Sequence, residues 1–104
     1  MVYCSIRDVK GVLQSIDEDD VTFDSEISGC IVTGSGVVDA LLRKEGLTVP
    51  SPTPQGVVDA AKCFAAWDFR HRRDPVGAES FWEQAQRFLS VYVDGVKEPY
   101  VGSV

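Results

Sequence analysis

The chain has 104 residues, 44% of them hydrophobic and 25% charged, which fits one globular domain with one modest core and excludes two. A net charge of −6 argues against holding DNA or RNA by its phosphates, because that needs clustered cations. No uninterrupted apolar run approaches the roughly 20 residues that span a bilayer, and the start Met1-Val2-Tyr3-Cys4-Ser5 has no signal-peptide pattern, so cytoplasmic synthesis is expected.

Ser5 stands three residues before Asp8, the spacing of a capping box with Asp in the acid position. Val9, Val12 and Leu13 then follow at helical spacing, which predicts a short first helix over Ile6–Gln14. Asp17-Glu18-Asp19-Asp20 lacks the alternating ligands and central glycine of a calcium loop and reads as a solvated turn.

Two readings stand for the stretch from Asp24 to Glu45. Ile27, Cys30, Ile31, Val38 and Leu41 fit one helical face, and Arg43, Lys44 and Gly46 look like a helix end. The run from Cys30 to Val38 also reads as a hairpin, with β-branched residues on both sides of Gly34-Ser35-Gly36. That Gly-x-Gly lacks the third glycine and the lysine of a phosphate loop.

Pro50, Pro52 and Pro54 forbid regular structure before the next helix, for which Thr53 is the expected cap and Pro54 the first residue. From Val57 to Trp67 the chain is apolar nearly all round and rich in alanine, as a central helix should be. Arg70-His71-Arg72-Arg73 follows, read as cations at a helix C-terminus or as partners for acids of a neighbouring subunit, with a nucleic-acid contact as the competing reading.

Asp74 and Pro75 open the longest helix, which Gly95 is expected to end. Its expected stripe is Ala78, Phe81, Ala85, Phe88, Leu89 and Tyr92, with Phe81, Phe88 and Leu89 buried against Phe64, Ala61 and Leu41. Domain limits are then 1–95 for the helices and 96–104 for an extended C-terminal arm that keeps Val96, Tyr100, Val101 and Val104 apolar. No catalytic, cofactor-binding or metal-ligating constellation is expected. His71 sits among arginines, and the scattered Cys4, Cys30 and Cys63 suit buried hydrophobes better than a disulfide framework, a zinc site or a nucleophile.

The order of these segments resembles the head–tail connector proteins of tailed bacteriophages, also called adaptor or head-completion proteins. The runs that carry it are YCSIRDVKGVL, VVDALLRKEG, VVDAAKCFAAWDF, RRDP and AESFWEQAQRFLSVYVDG, and it covers nearly the whole chain. The resemblance implies an all-α bundle of about four helices, with a helix over Asp24–Glu45; the glycine-rich Thr33–Gly36 departs from the family's usual filling there. It also implies a virion protein that is not an enzyme and has no cofactor. Such a protein forms a ring, typically dodecameric, between the portal above and a tail or tail-completion protein below. DNA would pass only in transit, and no membrane is involved. The candidate subunit interface is Arg70, Arg72, Arg73, Val96, Tyr100, Val101 and Val104. The alternative is a small helical regulatory or nucleic-acid-binding domain, against which stands a longest helix with Arg87 among several acids.

Overall fold

The structure, a computed structural model, describes residues 2–97. They form four helices and no strand: α1 (Ile6–Leu13), α2 (Asp24–Lys44), α3 (Gln55–His71) and α4 (Pro75–Lys97). Helix α3 is the centre. It carries eight buried residues and packs against each of the other three helices.

Local chemistry sets most helix ends. Ser5 accepts from the Asp8 amide while the Asp8 side chain accepts from the Ser5 amide, so the capping box is closed in both directions. Gly46 takes φ 75°, and the amides of Gly46 and Leu47 donate to the carbonyls of Arg43 and Leu42. That is a Schellman end, in which a left-handed glycine lets the chain turn back onto the last carbonyls. Asp74 Oδ1 accepts from the Gly77 amide at 3.1 Å and caps α4.

Two expected ends differ. Thr53 does not cap α3; Pro54 occupies the cap, and its carbonyl takes the amides of Val57 and Val58. Gly95 does not end α4, which runs on to Lys97. A mid-helix glycine costs only about 1 kcal/mol, and Lys97 Nζ bonds Glu45 Oε1 at 2.7 Å, tying the end of α4 to the end of α2. The helical part therefore includes Val96, which the expected arm had claimed.

The stretch open to two readings is a continuous helix, and Gly34 explains how. A Cβ at Gly34 would lie 2.8 Å from the Ala65 amide nitrogen and 2.9 Å from the Ala61 carbonyl oxygen. The glycine thus lets the backbones of α2 and α3 touch where α3 itself offers alanine. By length and composition this unbroken helix is long and apolar enough to cross a bilayer, which a count of uninterrupted apolar runs misses. Here its Ile27, Cys30, Ile31, Val38 and Leu42 are buried in the core of the bundle.

Tyr3 closes this side. Its amide donates to the buried Ser35 hydroxyl at 3.1 Å and its own hydroxyl donates to Asp39. Burial first, then Asp39, pushes the phenol up to about 12. Lys10, 5% exposed, threads the acidic turn: its ammonium donates to the carbonyls of Glu18 and Asp20 and lies 2.9 Å from Asp24. The turn is solvated outside and held by one buried cation within.

On α4 the buried positions are Ala78, Ala85 and Leu89, with Phe81, Trp82, Tyr92 and Val93 half-buried beside them. Phe88 is not buried as expected; it is 39% exposed. The helix is rotated so that Trp82, one turn from Ala78 and from Ala85, takes the inward position. Trp82 meets the buried Phe64 edge-to-face at 4.9 Å between ring centres.

Candidate interaction surfaces

The basic turn was the first candidate, and its charges are largely used within the chain. Arg73 folds back over α3, its guanidinium carbon 3.9 Å from the Phe69 ring centre and 5.4 Å from that of Phe23. Its two terminal nitrogens donate to the two Glu26 carboxylate oxygens at 2.9 and 2.8 Å, a fork-to-fork pair. Arg73 also donates to the Phe69 carbonyl at 2.9 Å. Arg72 bonds Asp68 at 2.9 Å and reaches Glu26 at 3.5 Å. The hydrogen bond from Arg73 holds the Glu26 carboxyl below the usual carboxylate range. Arg70 donates to the Ser15 hydroxyl at 3.3 Å and lies over the Phe81 ring. The acids expected from a neighbouring subunit are thus supplied to Arg72 and Arg73 by α2 and α3 of the same chain. The turn is first of all a clasp between the start of α2 and the end of α3.

Of the expected arm residues, Val96 is exposed at the end of α4. Tyr100, Val101 and Val104 lie outside the described residues.

The concave surface follows one flank of α4. Trp67 and His71, one turn apart on α3, stack at 4.8 Å, and Trp67 meets Trp82 of α4 at 4.8 Å. The outer edge of this ladder lines an open groove of about 550 Å³, walled on the α4 side by Val76, Glu79 and Glu83. At Gln86 it meets a second groove of about 400 Å³ floored by Leu41, Leu89 and Val93. Aromatic faces beside carboxylates attract cations, through ring quadrupole and charge together. Sequence reasoning missed this site because it placed Phe81 and Phe88 on the buried stripe and left Trp82 off. The signal was present: Ala78, Trp82, Ala85 and Leu89 keep a three-to-four-residue spacing.

The other flank of α4 is partly apolar. Phe88 is 39% and Val91 68% exposed, and Arg87 is exposed between them and the groove side.

Cys30 and Cys63 are buried, Cys4 is half-buried, and all three are free thiols. Burial pushes Cys4 and Cys30 up to about 12 and Cys63 to about 11, far from the thiolate form a nucleophile needs. Among the described residues no group of three His, Cys, Asp or Glu side chains could hold a metal ion.

No family model matches the chain, and neither a curated protein nor a solved structure does.

Proposed function

We propose that this chain is a structural subunit of the connector of a tailed bacteriophage, a virion protein whose copies form a dodecameric ring between portal and tail and leave a bore for DNA. The helix order supports the reading: a short helix, a long one, a proline-rich link, an alanine-rich helix and the longest helix last. The observation that carries it is the outer surface of α4, which offers a groove on one flank and exposed Phe88 and Val91 on the other. A closed head-to-tail ring needs each subunit to present two unlike surfaces. The charge of −6 is consistent with a bore through which DNA slides without being held.

The test is electron microscopy of the negatively stained protein and of particles labelled with an antibody to it. Rings with an open centre, and label at the head–tail junction, are the expected result. A monomer that binds DNA tightly and saturably near physiological salt, and loses that binding on Arg72→Ala, would instead favour a helical nucleic-acid-binding domain. The engagement of Arg72 and Arg73 with Glu26 and Asp68 weighs against that outcome.

A further inference from the structure

We infer that the two flanks of α4 are the two halves of one contact between copies of this chain: the Arg87–Phe88–Val91 ridge of one copy seats in the groove beside Trp82 and Glu79 of the next. This names the partner of the groove. It rests on self-association alone and does not need the portal-to-tail reading.

The occupant follows from charge and from what remains unpaired. Among the described residues, Arg7, Lys10, Lys62, Arg72, Arg73 and Lys97 each have a carboxylate within ion-pair distance. Arg43, Lys44, Arg70 and Arg87 have none there, and Arg70 already donates to Ser15. Arg87 alone of these four is followed by exposed large apolar side chains, Phe88 and Val91. The groove offers the complement. It is lined by Trp67 and Trp82, and its rim holds Glu79 and Glu83, which have no cation within ion-pair distance among the described residues. A guanidinium between aromatic faces and carboxylates is held by both, while Phe88 and Val91 leave water for an apolar wall.

Geometry decides the kind of assembly. At about 100° per residue, the row Glu79, Trp82, Glu83, Gln86 and the row Gln84, Arg87, Phe88, Val91 are centred roughly 140° apart around the α4 axis. Ridge and groove therefore face different ways, so one copy cannot fill its own groove. A pair joined by one such contact still has a free ridge at one end and a free groove at the other. The contact is heterologous and repeats from copy to copy, closing into a ring where the rotation between copies allows and running on as a filament where it does not.

Sedimentation of the full-length chain over rising concentration tests this. The wild type is expected to grow beyond a dimer. A ridge variant, Val91→Asp, and a groove variant, Glu79→Arg with Glu83→Arg, are each expected to associate at least tenfold more weakly. All three positions are exposed, and helical content and melting temperature confirm that each variant folds. Mixed together, the two variants should form a one-to-one dimer and nothing larger, because only one intact ridge and one intact groove remain. Exchanging the charges within one chain, Arg87→Glu with Glu79→Arg, should restore growth that each single change weakens. Glu79 is used because it lies two turns, about 12 Å, from Arg87 on the same helix, too far for an internal pair. A wild type that stays monomeric to about millimolar concentration would overturn the inference. So would variants that assemble like the wild type, or assembly abolished by deleting residues 98–104 and untouched by changes on α4. Growth in solution without label at the head–tail junction would leave this contact standing and remove the connector reading.

Discussion

Two of the packed sides of helix α3 are built from opposite materials. Toward α2 it offers Ala61 and Ala65, and Gly34 brings the two backbones into contact. Toward α4 it offers Phe64 and Trp67, which meet Trp82 through ring faces and edges. The first side is held by main-chain atoms that cannot turn aside; the second is filled by side chains that can repack. The two sides should therefore fail differently: the aromatic side by losing volume, the glycine side by gaining it.

The largest effect belongs to the aromatic side. Phe64 is 1% exposed and is the largest fully buried side chain, so Phe64→Ala should cost about 3–5 kcal/mol in a urea titration. Phe64→Leu keeps most of the volume and should cost far less. If the leucine variant were as unstable as the alanine one, the aromatic side would be as intolerant as the glycine side and the contrast would fail.

Gly34→Ala comes next. The new methyl would press on the Ala65 nitrogen and the Ala61 oxygen, both backbone, so α2 must move away from α3. A loss of about 1–3 kcal/mol is expected despite alanine's better helix propensity. Gly36→Ala is the matched control. It lies on the exposed side of α2 with nothing within 4 Å of a new Cβ, and should gain about 0.4–1 kcal/mol. Thermal melts of the pair read the sign directly. Two stabilised variants would show that the helices do not approach as closely as described.

The clasp at the end of α3 gives a smaller, pH-dependent effect. The Arg73 hydrogen bond depresses the Glu26 carboxyl, so the folded state binds its proton less readily than the unfolded chain does. Stability from this pair is complete above the ordinary glutamate range, near pH 4.3, and fades as pH falls through the depressed value. Stability measured from pH 6 down to pH 3 should fall less steeply in Glu26→Gln than in the wild type. Equal slopes would mean that the pair does not persist in solution.

The smallest effect is expected outside both packed sides. Phe88→Ala removes a side chain that is 39% exposed and should change the stability of the monomer by no more than about 0.5 kcal/mol. A loss comparable to that of Phe64→Ala would restore Phe88 to the core and turn α4 back to the stripe expected from sequence.

What the sequence determined by itself was set by groups within a few residues of each other. Ser5 and Asp8 start α1, Asp74 and Pro75 start α4, and Gly46 ends α2, each by hydrogen bonds or backbone freedom confined to one turn. The other three helices and the central place of α3 were legible too, because periodic apolar spacing and alanine content are local properties, whereas the all-α class rested on the family resemblance, since the pattern alone left Asp24–Glu45 open between helix and hairpin. The tertiary structure decided the rest. Gly34 reads equally well as a hairpin turn until Ala61 and Ala65 are beside it, and that approach makes glycine fit within a helix. The acid for Arg73 lies 47 residues away in sequence, and no spacing rule connects them. The rotation of α4 exchanged Phe88 for Trp82, because both positions border the same apolar stripe and only packing against Phe64 distinguishes them. Interactions within one helical turn are written in the order of residues, whereas those between helices depend on how close and at what angle the helices cross.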